Sequence, residues 1–247
     1  MKHTIIFFKN KICLYGTLIT HPIHKHYLMQ IVVSRKIFSN KISIEVIDSN
    51  VSHSMFIFRG VYFSIMLDPL SSNGIKLKNT LLNNKTRKFS IESSNTMIME
   101  KISAALSVDD VQSISNDIIK ILLKDRNEPR HIIDKRIKKA IQLIKQSKSL
   151  NMQVNEIYSK VGLSESHFNL LFKKDVGLPF RKYVLWNKLF RAVLSILNGC
   201  SYTVAAQDGD FFDSAHLART FKENTGISIS HIFKNKRFIQ VHVEDLI

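Results

Sequence analysis

The sequence lacks the features that would mark a secreted, metal-cluster or membrane-spanning protein. Of its 247 residues only two are cysteines, Cys13 and Cys200, which lie too far apart for a zinc-ribbon or redox-pair spacing. So few cysteines favour a reduced, cytoplasmic compartment. No apolar run is long enough to cross a bilayer, and Lys9, Asn10 and Lys11 interrupt the mildly apolar start before a signal-peptide core forms.

Acidic side chains are also scarce. The chain has 36 Lys and Arg against 20 Asp and Glu, a formal charge of +16 at pH 7 and a pI near 9.8. This balance favours an anionic partner, nucleic acid first and a membrane surface second, although the residue usage of an AT-rich genome has the same effect. The excess is concentrated, since residues 135–191 carry thirteen basic and three acidic side chains, whereas residues 192–247 carry five and six.

Signatures of catalysis are missing as well. The sequence has no nucleophile elbow, no glycine-rich phosphate loop and no recognisable order of Ser, His and Asp. We therefore predict that the protein is not an enzyme and that it holds no resident cofactor.

The first half of the chain has the texture of a small β domain. From residue 4 to about 92, runs of β-branched and aromatic residues alternate with polar turns, which predicts a mostly antiparallel barrel or sandwich. Helical periodicity over about 96–124 then predicts a two-helix hairpin, which packs on the barrel or, alternatively, on a second subunit. Its apolar stripe consists of Met97, Ile98, Ile102, Ala105, Leu106, Ile114, Ile118, Ile121 and Leu122.

The last part of the chain has helical periodicity and contains a repeat. The stretches "VGLSESHFNLLFKKDVG" (161–177) and "DFFDSAHLARTFKENTG" (210–226) both run apolar residue, capping residue, two small or polar residues, His and apolar residue. Ser164 and Asp213 can each cap the helix that follows, because their oxygens accept hydrogen bonds from first-turn amides. Each unit is thus a short helix, a tight turn and a second, capped helix, which is the pattern of a helix-turn-helix.

Two further features indicate that one chain reads DNA twice. Gly177 and Gly226 can end the second helix of each unit in the left-handed conformation. Between the units, the stretch from about Phe180 to Leu197 predicts one helix, roughly 27 Å long at about 1.5 Å per residue. One turn of duplex is about 34 Å, so we expect the two second helices to enter successive major grooves.

Residues 132–236, which also include "RAVLSILNG" and "AAQDGDFFDSAHLARTFKENTGISIS", resemble the DNA-binding domain of the AraC/XylS family of bacterial transcription regulators. The resemblance implies a two-domain α+β protein, with a cupin-like β-barrel and helical hairpin at 1–127 and an all-α double helix-turn-helix domain at 132–238. A linker is expected around Pro129. The family also implies double-stranded DNA as partner, activation more than repression, and a contact to RNA polymerase. A homodimer through residues 96–124 and a small-molecule effector in the barrel are left open.

Carried over onto this sequence, the resemblance implies which side chains meet DNA. Arg219 is the strongest candidate, because a guanidinium can bind guanine O6 and N7 together. His216 suits a base or a phosphate, and equally suits a partly buried histidine with a local partner. The residues expected at base edges are Ser166, Asn169, Leu170, Ser214, Ala215, His216 and Arg219, and those expected at phosphates are Lys173, Lys174, Arg181, Lys182, Lys188 and Lys222.

The sequence departs from the family pattern at four positions. Asp210 stands where the second turn usually has glycine, and we expect it to take the left-handed conformation with some strain. Tyr158 replaces an alanine near a helix crossing, so its ring must tilt outward or push the helices apart. Leu170 and Lys188 each replace a usual arginine. Because the part of the chain with the second helix-turn-helix has little net charge, we expect the first helix-turn-helix to supply most of the affinity for DNA.

Three histidines in the first half form the best alternative site. In metal cupins a His-x-His is followed by a glutamate and by a histidine on a later strand, and His24, His26 and His53 fit this pattern with Gln30 at the glutamate position. Because the carboxylate is missing, we favour rim residues without metal. Bound iron or zinc with turnover would instead make the protein a cupin-type enzyme. A membrane-surface or partner-binding protein is the third class, but the repeat leaves no apolar helix face over for lipid.

Overall fold

The structure is a computed structural model of the chain. It describes residues 3–8, 11–16, 19–35, 41–57, 61–82, 88–93, 97–105, 107–124, 133–147, 149–151, 154–225, 228–234 and 239–243. The predictions made for Leu106, Pro129 and Gly226 lie outside the described residues. The chain divides into two compact units: Met1–Arg130 together with Thr225–Ile247, and His131–Asn224. The predicted domain limits stay predictions, whereas the two-part α+β class is confirmed.

Strands make up most of the first unit. They are β1 His3–Phe8, β2 Lys11–Gly16, β3 Ile19–His24, β4 Met29–Arg35, β5 Ile42–Ile47, β6 His53–Ile57, β7 Tyr62–Leu67, β8 Lys88–Ser93 and β9 Ile239–Val243. Seven of them form one sheet in the order β8-β5-β4-β7-β2-β1-β9, and β3 pairs with β6 in a second sheet. All pairings are antiparallel except that of β1 with β9, so the prediction of a mostly antiparallel β domain is confirmed.

The described part of this unit also contains four helices. They are α1 Ser72–Leu81, α2 Met97–Ala104, α3 Val108–Leu123 and, near the end of the chain, α10 Ile229–Lys234. The sequence did not predict α1, which begins at the N-cap Ser71. The predicted hairpin is present as α2 and α3. Its buried residues form one core with strand residues of the seven-stranded sheet, which is the first of the two packing alternatives. Met97 and Ile121 were wrongly placed in the buried stripe, since their side chains are 55% and 48% exposed.

The second unit is all helical among its described residues. Its helices are α4 Lys135–Gln146, α5 Val154–Lys160, α6 Glu165–Val176, α7 Phe180–Leu197, α8 Tyr202–Asp208 and α9 Ser214–Thr225. The predicted long helix between the repeats is α7. Phe168, Phe172, Phe180 and Tyr183 form an aromatic core with neighbouring ring centroids 5.1–5.6 Å apart. Within the described part of the chain, no helix has the length and apolar character needed to cross a membrane.

Candidate nucleic-acid interface

The turn between α5 and α6 is built on a left-handed glycine. Gly162 has φ +69°, its amide donates to the Ser159 carbonyl at 3.1 Å, and the Leu163 amide donates to the Tyr158 carbonyl at 3.0 Å. This pair of hydrogen bonds is the Schellman motif that ends many helices. The next residue, Ser164, caps α6 by accepting a hydrogen bond from a first-turn amide, as predicted.

The turn between α8 and α9 repeats these hydrogen bonds with an aspartate in the glycine position. Asp210 has φ +55°, which confirms the left-handed conformation expected from the sequence. Its amide donates to the Gln207 carbonyl at 2.9 Å, and the Phe211 amide donates to the Ala206 carbonyl at 2.8 Å. Gly162 and Asp210 are therefore structurally equivalent, and the two helix pairs are joined in the same way.

The second turn is one residue longer than the first. One residue lies between Gly162 and the cap Ser164, whereas two lie between Asp210 and the cap Asp213. In the ungapped comparison of the repeats Phe212 stands opposite the buried Leu163, but Phe212 is 92% exposed and Phe211 is the buried side chain. The repeat therefore contains an insertion that places a bare phenyl ring just before α9.

A network of hydrogen bonds ties the second turn to the loop after α4 and to α7. The Asp210 carboxylate accepts from the Leu150 amide at 2.5 Å and from the Ser149 hydroxyl at 3.1 Å. The Lys188 ammonium donates to the Asn151 side-chain oxygen and, at 3.3 Å, to the Asp210 carbonyl. Partial burial lowers the pKa of Lys188, and the nearby Asp210 acts in the opposite direction.

This network changes the assignment of Lys188. The sequence suggested a phosphate contact, but the structure gives the ammonium internal partners on two other segments of the same unit. Lys188 therefore helps to position the second turn, and its contact with a phosphate stays a prediction. No feature of the sequence pattern marks such a role, because the partners lie 37 and 22 residues away along the chain.

Small residues let α8 pack closely on α7. Ala205 and Ala206 are buried, and a Cβ built on Gly209 would lie 2.8 Å from the Lys188 carbonyl oxygen and 2.9 Å from the Ala192 Cβ. Any larger side chain at Gly209 would force the two helices apart. The close packing of α8 on α7 explains why α8 has small residues at positions 205 and 206.

The second helix of each helix-turn-helix, α6 in the first and α9 in the second, buries an apolar face and exposes a polar one. α6 buries Phe168 and Phe172, and α9 buries Leu217 and Phe221. Leu170 is the exception on the solvent side, with 70% of its side chain exposed. The predicted contact residues that are exposed are Ser166, Asn169, Leu170, Lys173, Lys174, Arg181, Lys182, Ala215, His216, Arg219 and Lys222, while Ser214 and Lys188 are half-buried.

The structure defines the surroundings of His216 and Tyr158, for which the sequence left two alternatives each. His216 is exposed, its ring centroid lies 5.4 Å from that of Phe211 in an edge contact, and its backbone amide donates to Asp213 Oδ1 at 2.6 Å. The last bond confirms Asp213 as the cap of α9. Tyr158 is half-buried, and its ring centroid lies 6.4 Å from that of Phe168, at the edge of the aromatic core.

The three histidines of the first unit lie together. One ring nitrogen of His24, one of His26 and one of His53 are all within 4.8 Å of one another. Burial, reinforced by the neighbouring His53 and His24, lowers the pKa of His26 to about 3, whereas hydrogen bonds with Leu28 and Gln30 act in the opposite direction. The Gln30 amide nitrogen donates to the Ser64 hydroxyl at 2.9 Å.

Comparison with known proteins agrees with this geometry. Residues 157–235 match the profile of a helix-turn-helix domain family, and no curated protein matches the chain. Among solved structures, ToxT from Vibrio cholerae is similar, with 13% identity, coverage of 90% of this chain and 97% of that chain, and a TM-score of 0.56. A second ToxT structure, from Vibrio cholerae O395 and bound to (E)-4-(8-methylnaphthalen-1-yl)but-3-enoic acid, has 12% identity, coverage of 90% and 98%, and a TM-score of 0.55.

These matches confirm the resemblance seen in the sequence. At such low identity the ToxT structures establish the fold, and the profile match establishes the helix-turn-helix. Residues 157–235 therefore contain a helix-turn-helix domain, and the chain has the fold of the ToxT structures.

Proposed function

We propose that the protein is a sequence-specific transcription regulator that reads two successive major grooves with α6 and α9. The supporting observation is the repeated unit itself, in which each capped helix buries its apolar face and exposes its polar face. A major groove admits an α-helix, and the bases there present distinct patterns of donors and acceptors. The 18-residue helix α7 lies between the two helix-turn-helix pairs in the chain, and its length of about 27 Å supports two readers on one duplex face.

The exposed side chains divide the work between affinity and specificity. Lys173 and Lys174 at the end of α6 supply charge to phosphates, which gives sequence-independent affinity. On α9, Arg219 is exposed and is proposed to bind a guanine edge. Leu170, where an arginine is usual in the family, presents a methyl-rich surface suited to a thymine methyl group.

Selection of binding sites from a random duplex library tests this proposal. We expect one sequence whose footprint covers two major-groove segments on one face of the DNA, about 10 base pairs apart. Arg219→Ala should cost about 1–3 kcal/mol on the selected site and relax one base position. Lys173→Ala is the matched control, since it should weaken selected and random DNA equally and lower the salt slope by about one.

Two outcomes would contradict this function. A footprint over a single groove would remove the second reader. Equal loss of selected and random DNA binding in Arg219→Ala would remove its base contact. In either case the proteins must first show wild-type unfolding curves.

Control by a small molecule is the finer part of the proposal. A groove of about 370 Å³ lies between α1 and α3, and Lys76, Lys120 and Lys124 are among its lining residues. The organic acid bound in one ToxT structure supports a carboxylate as the ligand class. Lys120→Ala should then abolish the rise in unfolding temperature that an arylbutenoic acid gives to the wild type.

We further propose that the protein activates transcription, contacts RNA polymerase and is located in the cytoplasm. We also propose that it dimerises through residues 96–124. The exposed Met97 and Ile121 are the residues on this hairpin that support a dimer. Ile121→Lys should shift a dimer to monomer in sedimentation equilibrium without changing the unfolding midpoint of the monomer. A wild-type protein that is monomeric at all concentrations tested contradicts the dimer.

A further inference from the structure

Three histidine rings converge at one end of the strand pair β3–β6. His24 ends β3 and His53 begins β6, and the two residues are paired in register. His26 follows in the connection to β4. The ring centroid of His53 lies 4.5 Å from that of His24 and 4.9 Å from that of His26, and the His24 and His26 centroids are 5.5 Å apart. Residues that are separated in sequence are thus brought to one point by strand pairing.

Backbone carbonyls orient two of the three rings. The Nδ1 atoms of His26 and His53 lie 2.8 Å from the carbonyl oxygens of Leu28 and Val51. Because a carbonyl only accepts, each Nδ1 carries the hydrogen, and the lone pair of the neutral ring is on Nε2. Histidines that bind metals typically use their second nitrogen in this way, which fixes both the tautomer and the ring orientation.

The backbone around the rings is held in place by its own hydrogen bonds. The Asn50 amide donates to the His26 carbonyl at 2.7 Å, which ties the turn before β6 to the connection that carries His26. The Tyr27 hydroxyl donates to an Asp68 carboxylate oxygen at 2.8 Å. His26 and His53 are buried and His24 is half-buried, so an ion reaching the cluster would be largely shielded from water.

We propose that His24, His26 and His53 bind one divalent transition-metal ion of the zinc type, with one coordination position left for water or an anionic ligand. Three imidazoles suit Zn²⁺ and its neighbours, whereas Ca²⁺ and Mg²⁺ require oxygen ligands. Around tetrahedral zinc, ligand nitrogens lie about 3.4 Å apart, and here one ring nitrogen of each histidine already lies within 4.8 Å of the other two. The orientation of the rings outweighs the missing carboxylate, which weighed against a metal in the sequence.

Metal titration of the full-length, untagged and chelator-stripped protein tests the site. We expect uptake of one equivalent of Zn²⁺ by calorimetry, and a visible ligand-field spectrum on addition of one equivalent of Co²⁺. His24→Ala and His53→Gln should each weaken Zn²⁺ binding by about a hundredfold or more, beyond the loss of an outer-shell partner. His167→Ala, which removes an exposed histidine of α6, is the control and should bind like the wild type.

Thermal unfolding keeps the test decisive if a variant folds poorly. Zn²⁺ should raise the unfolding midpoint of the wild type and of His167→Ala, and MgCl₂ should not. The proposal is overturned if the wild type shows no saturable uptake of Zn²⁺ or Co²⁺. It is also overturned if His24→Ala and His53→Gln, with midpoints like that of the metal-free wild type, bind Zn²⁺ as tightly as the wild type.

Discussion

Replacement of Asp210 separates the two contributions of this residue to the second turn. The carboxylate accepts hydrogen bonds from Leu150 and Ser149, and its backbone is left-handed at φ +55°. Hydrogen bonds to a charged group contribute about 1.5–3 kcal/mol, and we take the low end because Ser149 is exposed. A left-handed conformation costs an ordinary residue roughly 1 kcal/mol, and glycine nothing.

These values predict an order of stability among three substitutions. Asp210→Ala loses the hydrogen bonds and acquires the strain, so it should lower the free energy of unfolding by about 2–3 kcal/mol. Asp210→Gly loses the hydrogen bonds and is free of strain, and should cost about 1–2 kcal/mol. Asp210→Asn keeps one oxygen acceptor and tolerates the left-handed backbone, and should cost about 1 kcal/mol or less.

Urea unfolding followed by tryptophan fluorescence measures these differences. Trp186, the one tryptophan of the chain, lies on α7 in the same unit as Asp210, so its emission reports on that unit. Glu223→Ala is the control, because it removes an exposed carboxylate of α9 and should change stability by about 0.5 kcal/mol or less. If Asp210→Gly is as stable as the wild type or more so, the carboxylate does not fasten the turn and the reasoning is refuted.

Three further predictions concern single residues. Phe211→Ala should cost about 3–5 kcal/mol and Phe212→Ala less than about 0.5, and equal losses would contradict the inserted turn residue. A thiol reagent should label only Cys200 in the native protein, because Cys13 is buried and burial raises its pKa to about 12; labelling of both thiols before unfolding would contradict this. Hydrogen bonds from the Arg136 side chain and amide lower the pKa of Asp134 from 3.8 to about 2. The cap of α4 should therefore stabilise the native state above about pH 4 and lose this contribution as the pH falls to about 2, and Asp134→Asn, which still caps, should not show this step.

Much of the second unit could be predicted because its signals are local. Ser164 and Asp213 act on amides within one helical turn, whereas the left-handed backbone of Asp210 was expected from the resemblance, because the family usually has glycine at this position. Aspartate adopts the left-handed backbone conformation more readily than most residues, so this feature needs no partner from a distant part of the chain. The two caps were visible in single short stretches of sequence, and they and the left-handed Asp210 are all present in the structure.

The features that escaped prediction depend on partners far apart in sequence. Lys188 has a basic side chain on a basic helix, and only its distance from Asn151 and Asp210 in space shows that it is engaged. Phe211 and Phe212 are identical side chains, so composition does not decide which is buried. His53, in contrast, was named from the sequence as the later histidine, and the pairing of β3 with β6 places it opposite His24.

The parallel pairing of β9 with β1 has a consequence for the order in which the protein is made. β1 precedes the helix-turn-helix region in the chain, whereas its partner Ile239–Val243 follows that region and is made later. Until then one edge of β1 exposes backbone groups that can pair with other strands. Nascent chains thus keep an open sheet edge until β9 has been made, and a deletion of β9 would leave β1 as an edge strand of the sheet.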